Sequence, residues 1–195
     1  MTKEISEGIG AFYHYYPRLT VVVTARAGER DNVMAVAWHM PVSKNPPLYA
    51  VSISPKRFTY ELILQSGEFA INFLPASEAE LVAAVGGSQG KEIDKFGMFK
   101  ILKDRSLKIA TPILRAAYAA YECKVVNDNL YGDHRLLVGE IIAVHWHEEA
   151  FTENTTLNLE KVSPTLYLGS DQYLDISECT VRTLDREACI SYLKD

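Results

Sequence analysis

Short β-type runs set close together, most of them closed by Gly or Pro, constrain this chain more than any other feature. Arg18 to Arg26 reads Arg-Leu-Thr-Val-Val-Val-Thr-Ala-Arg and gives way to a turn over Gly28 to Asp31. Asn32 to His39 is a second apolar segment, closed by Pro41. Leu48 to Ser54 follows the break Asn45-Pro46-Pro47, and Glu68 to Leu74 lies between Gly67 and Pro75. Ala116 to Asn127 and Arg135 to Glu148 are the longest runs, joined through turn-rich Asn127 to Asp133 as a predicted hairpin. Strict alternation of strand and helix is missing, which argues against a doubly wound parallel sheet. Many strands with few helices predict a closed β-barrel instead.

Helical signals are few. Thr59 to Ser66 is amphipathic, and Ser77-x-x-Glu80 is a capping box ahead of Leu81, Val82 and Val85. Asp185 to Leu193 predicts a final helix, and polar Thr152 to Ser163 a surface loop. No seam divides the chain, so residues 1–195 are expected to form one domain, with 171–195 as a C-terminal extension.

Composition removes several function classes. A net charge of -5 without a basic stripe argues against nucleic acid as a partner. No apolar run is long enough to span a membrane, and Met1 to Gly10 carries acids rather than the apolar core of a secretory signal. Cys123, Cys179 and Cys189 are odd in number and scattered, which suits a reducing cytoplasm better than a disulfide framework.

One local stretch carries chemistry. Val51-Ser52-Ile53-Ser54-Pro55-Lys56-Arg57-Phe58-Thr59 is a strand ending in small hydroxyl residues, then a proline turn, two cations and a helix start. It reads either as a solvated basic turn or as an anion site, because the first N–H groups of a helix are free and its dipole favours negative charge. Gly86-Gly87-Ser88-Gln89-Gly90-Lys91 lacks the spacing of a P-loop, though its glycines let backbone approach a phosphate. Lys95 and Phe96 follow it. His145-x-His147, with Glu149 on the same strand face, has metal-binding geometry but no evident third ligand, so no metal is expected. His134 in Asp133-His134-Arg135 is a titratable group at a turn, and Trp38 reads as a packing residue at a strand end. No nucleophile elbow, zinc-protease helix or dinucleotide fingerprint is present, so any catalysis points to a borrowed cofactor.

Taken in order, these pieces resemble a known family. They are Val21 to Thr24, then Asn32 through Trp38 and Ser43, then Asn45-Pro46-Pro47-Leu48, then Val51 to Ser54 with Arg57 and Thr59. Gly67-Glu68-Phe69-Ala70-Ile71-Asn72, Asp94-Lys95-Phe96, Glu122-Cys123, Gly132-Asp133-His134 and Gly139-Glu140 follow. The set resembles the flavin reductase-like, FMN-binding split-barrel family, and its flavoredoxin-type members in particular, over most of the chain. The resemblance implies a mainly β fold: a six-stranded antiparallel Greek-key split β-barrel with a few short helices. It implies a homodimer with non-covalent FMN near the subunit interface, and an oxidoreductase fed by NADH, NADPH or a redox-partner protein. A non-catalytic electron carrier or flavin store is the alternative. Asn32, Val33 and Met34 would contact the ring. Ser52, Ile53 and Ser54 would line the ring and ribityl chain. Arg57, Thr59 and Lys91 would hold the phosphate, with Lys95 close by. Trp38, His134 and Tyr167 would flank the flavin and its access route, with His134 as the candidate for tuning or proton delivery. Met34 departs from the small hydroxyl residue common in the family, which leaves a backbone contact in place of a side-chain one.

Overall fold

Val21, Val22 and Val23 are all fully buried, so the strand that carries them is covered on both faces. In the computed structural model, which describes residues 2–5, 7–8 and 14–176, that strand lies inside a sheet with helices and loops packed outside it. The strands in chain order are β1 (Arg18–Leu19), β2 (Val21–Ala27), β3 (Arg30–Val36), β4 (His39–Lys44), β5 (Pro47–Ile53) and β6 (Glu68–Phe73). Then come β7 (Lys103–Asp104), β8 (Ile113–Leu114), β9 (Ala119–Tyr131), β10 (His134–Trp146), β11 (Leu166–Gly169) and β12 (Gln172–Leu174). The helices are α1 (Phe58–Ser66), α2 (Ala79–Gly87) and α3 (Lys95–Met98).

The main sheet has seven strands in the order β3-β2-β6-β9-β10-β5-β4, every neighbour antiparallel. This corrects the closed barrel read from the strand pattern and the six strands implied by the resemblance. The sheet curls until β3 and β5 approach each other, yet no strand ladder joins them. The barrel is therefore split, with β3 and β4 as its edges. Two small sheets, β1-β11-β12 and β7-β8, lie outside it.

The inside of the curl holds Val21, Val23, Val51, Ile53, Phe69 and Ile71, plugged by Tyr60, Leu62 and Ile63 of α1. Each such side chain contributes roughly 1.5–3 kcal/mol by leaving water. The outer face of β2 puts Val22 with Val33, Leu74, Val82, Val85 and Phe96, which seats α2 and α3. α1 ends at Gly67, whose φ of 69° is the left-handed cap that returns its N–H to Ile63 O at 2.7 Å.

Three local expectations are revised. Pro41 does not close a strand but lies within β4, where an edge position beside a bulge tolerates the missing N–H. The predicted turn over Asn127 to Asp133 shrinks to Gly132 and Asp133, because β9 pairs β10 out to Tyr131. Ser77 forms no capping box: a 3-10 turn at Ala76–Glu78 moves the N-cap of α2 to Glu78, without a side-chain bond. The helix expected over Asp185 to Leu193 lies outside the described residues.

Candidate cofactor-binding groove

The split places β3, the end of β5 and the start of α1 around one opening. Two adjoining hollows share Met34, Ala35 and Arg57 and so form a continuous groove. One end is basic, lined by Asn32, Lys56, Arg57, Thr59, Lys91 and Lys95 among others. The other is lined by Val36, Trp38, Ser52, Ile53, Ser54 and His134. Ser52 N–H donates to Trp38 O at 2.8 Å, which pins β5 to the chain between β3 and β4 at the rim.

At the basic end, α1 begins without a side-chain cap. The N–H groups of Phe58 and Thr59 find no acceptor among the described residues, nor does the exposed Arg57 guanidinium find a partner there. Lys91 reaches across to Glu61 at 2.6 Å, an exposed pair that is readily exchanged. Beneath these groups lies a polar knot. Buried Asn32 donates from Nδ2 to Thr59 Oγ1 at 2.8 Å, joining β3 to α1. A Cβ on Gly90 would stand 2.2 Å from Asn32 Oδ1, so only glycine lets the loop after α2 close against this knot.

Lys95 is 2% exposed and donates to Val33 O at 3.0 Å and Val85 O at 2.6 Å. Burial, with a smaller push from the charge of Arg57, brings its ammonium down to about 8. It ties the open edge of β3 to α2 and forms the floor of the groove rather than its free cation. Val33 itself does not line the groove. Its side chain is buried against the α2 and α3 layer, and its carbonyl is taken by Lys95.

At the other end, the rings of Trp38 and His134 lie 4.9 Å apart. His134 Nδ1 is 2.8 Å from Asp133 Oδ1, and that contact holds the Asp133 carboxyl below its ordinary range. Trp38 Nε1 donates to Tyr15 OH at 2.6 Å. Tyr167 is removed from the groove lining. It packs edge-on against Tyr16 at 5.4 Å and tilted against Tyr173 at 5.2 Å. His145 is committed elsewhere, with Nε2 2.5 Å from Glu122 Oε1, and no cluster of three metal-capable side chains occurs among the described residues. The sequence did not single out Ala35 or Phe58 as lining residues. Ser88, Gln89 and Gly90 were signalled only by the glycine-rich run that carries them.

This donor set fits a phosphorylated flavin. Arg57 and the N–H groups of Phe58 and Thr59, without partners among the described residues, meet at one end, and a mostly apolar wall of Met34, Ala35, Val36, Ile53 and Trp38 continues from it.

Comparison with known proteins agrees. The fold and groove define a flavin-binding split barrel, and a family model for the flavin reductase like domain matches residues 12–175. The chain belongs to the flavin reductase-like, FMN-binding family. It is 36% identical over 136 residues to an uncharacterized protein of Pyrococcus abyssi, covering 70% of this chain and 78% of that one. An NADH-dependent FMN reductase of Streptomyces nodosus subsp. asukaensis is 28% identical over 134 residues, 69% of this chain and 71% of the relative. Among solved structures, an FMN-binding protein from Thermus thermophilus superposes with a TM-score of 0.83 at 35% identity, covering 94% of this chain and 100% of its own. No helix among the described residues is long and apolar enough to cross a membrane.

Proposed function

We propose that this protein is an FMN-dependent oxidoreductase. The observation that carries the reading is the continuous groove, with Arg57, whose guanidinium has no partner among the described residues, at one end and the Trp38–His134 pair at the other. A phosphomonoester brings close to two negative charges near neutral pH. Arg57 clamps it with paired N–H groups, the free N–H groups of Phe58 and Thr59 complete the seat, and Lys91 exchanges Glu61 for it. Ser52 and Ser54 would face the polar chain, and Met34 would flank the ring. Asp133 fixes the His134 ring through Nδ1, leaving Nε2 to hold or exchange a proton beside the groove. Bound there, the flavin supplies reversible electron chemistry, accepting from NADH, NADPH or a protein donor. Exposed Met40 and Val42 on edge strand β4 support assembly as a homodimer.

The test is spectroscopic. The purified protein is expected to be yellow and to bleach within a stopped-flow trace when mixed with NADH or NADPH. A flavin-loaded protein that neither nucleotide bleaches, but chemical reductants do, would assign it the carrier or store role instead. A folded protein that takes up no FMN would overturn the proposal.

A further inference from the structure

The aromatic pair at the mouth of the groove continues outward as an unbroken file of rings. Trp38 lines the groove, and its Nε1 donates to the Tyr15 hydroxyl at 2.6 Å. The Tyr15 and Tyr16 rings lie 4.8 Å apart, centroid to centroid. Tyr16 meets Tyr167 edge-on at 5.4 Å, and Tyr167 meets Tyr173 at 5.2 Å. Tyr167 and Tyr173 are register partners across β11 and β12, in the small sheet outside the barrel. Four phenols thus lead from an indole at the groove wall to the edge strand of that sheet.

Phenylalanine would pack as well at each of these places. What it lacks is an oxidisable O–H. Burial and the neighbouring Tyr15 hydroxyl push Tyr16 up to about 12, and burial, Tyr167 and Asp171 raise Tyr173. Both are therefore protonated at neutral pH, and each must lose a proton with its electron.

We propose that these rings form a radical relay, which carries one-electron oxidising equivalents from Trp38 through Tyr15 and Tyr16 to Tyr167 and Tyr173. The oxidant, of the kind that dioxygen forms beside a redox cofactor, takes one electron from Trp38 and is reduced, while the Nε1 proton goes to water. Tyr15 then returns an electron and its hydroxyl proton to Nε1 across their contact. Its O–H bond breaks, the indole N–H re-forms, and a phenoxyl radical remains on Tyr15. The step runs downhill, because a neutral indolyl radical is a stronger oxidant than a phenoxyl radical at neutral pH. Tyr16 repairs Tyr15 in the same way, through the hydrogen bond between their hydroxyls. Tyr167 and Tyr173 follow by electron transfer across their ring contacts, each oxidised phenol releasing its proton to water and each repaired one taking a proton up. A soluble thiol ends the sequence by giving a hydrogen atom to the outermost phenoxyl and is itself oxidised to a thiyl radical. The value of the relay, protection of the groove, rests on the flavin reading above. The relay itself is measured without flavin, so the two fail separately.

The full chain carrying Trp146→Phe, freed of flavin, keeps Trp38 as its one tryptophan. Azidyl radicals made by pulse radiolysis oxidise that indole. The indolyl absorption is expected to decay as the phenoxyl absorption rises, at one shared rate that does not change with protein concentration. Tyr15→Phe keeps the ring and loses the hydroxyl, and is expected to slow that rate roughly tenfold, the factor that one hydrogen bond's worth of barrier gives. Adding Tyr16→Phe is expected to slow it further. A nitroso spin trap with peptide mass spectrometry then locates the radical. Label is expected on Tyr167 and Tyr173, and is expected to fall severalfold there in the double variant. A concentration-dependent rate, a rate that Tyr15→Phe leaves unmoved, or label on the outer pair that the double variant leaves unchanged overturns the proposal. Should the double variant fail to fold, Tyr15→Phe alone carries both measurements, with the same outcomes.

Discussion

Replacing Gly90 with alanine isolates the polar knot under the groove. The new Cβ would lie 2.2 Å from Asn32 Oδ1 and 2.5 Å from its Cγ and Nδ2. Asn32 is 3% exposed and Thr59 1%, so Asn32 has little room to turn aside, and turning breaks its bond to Thr59 Oγ1. Overpacking of this kind costs roughly 1–3 kcal/mol, and the lost hydrogen bond adds about 1 kcal/mol. Against this, alanine restricts the unfolded chain and returns about 0.4–1 kcal/mol. The net expectation is a loss of roughly 2 kcal/mol. For a chain of this size that lowers the melting temperature by roughly 4–8 °C. Gly87→Ala is the control, because nothing lies within 4 Å of a Cβ there. Thermal and urea unfolding of both variants, with FMN dissociation constants alongside, makes the measurement. Gly90→Ala as stable as Gly87→Ala, with FMN retention intact, would refute the close approach of loop and knot on which the groove's shape depends.

Further expectations separate binding from folding. Arg57→Ala should weaken FMN retention by at least tenfold with the apoprotein's melting temperature almost unchanged, because the guanidinium holds nothing else among the described residues. Thr59→Ala should lower both, since its hydroxyl anchors Asn32; equal effects from the two variants would argue against a dedicated phosphate clamp at Arg57. Lys95 binds a proton less readily folded than unfolded, so stability should rise between about pH 8 and the ordinary lysine value of 10.5 as the unfolded chain holds the extra proton. Lys95→Met should flatten that rise in a pH series of melting curves. Glu122, with its folded pKa lowered, contributes stability that is present at neutral pH and is lost as pH falls from about 4.3 through the folded value. Glu122→Gln should cost roughly 3 kcal/mol at pH 7 and remove that part of the acid sensitivity, as read from denaturant midpoints across the acid range.

What the sequence disclosed followed locality. Val51 to Thr59 holds strand end, turn, cations and helix start within nine consecutive positions, so backbone geometry alone assembles the basic end of the groove. The three valines of β2 were legible as a strand, and their burial on both faces follows from the helix layer outside the sheet. Long-range contacts were silent. Nothing local marks Gly90 as facing Asn32, or separates Lys95, whose ammonium is spent on two backbone carbonyls, from Lys91, whose ammonium is exposed. Glu122 and His145 lie on neighbouring strands in a register set by two bulges in the β9–β10 ladder, so their pairing could not be counted out from spacing. Tyr167 was placed at the flavin by resemblance, while its ring packs against Tyr16 and, within the small outer sheet, against Tyr173.

The unclosed seam between β3 and β5 has a further consequence for handling the protein. A strand edge without a neighbour is a template for foreign chains, and natural proteins blunt such edges. Here Lys95 covers one carbonyl of β3, a charged cap reached from outside the sheet. A prosthetic group seated along the seam would shield much of the remainder. Cells starved of riboflavin should therefore yield this protein increasingly as aggregate, and solubility during expression becomes a reporter of cofactor supply.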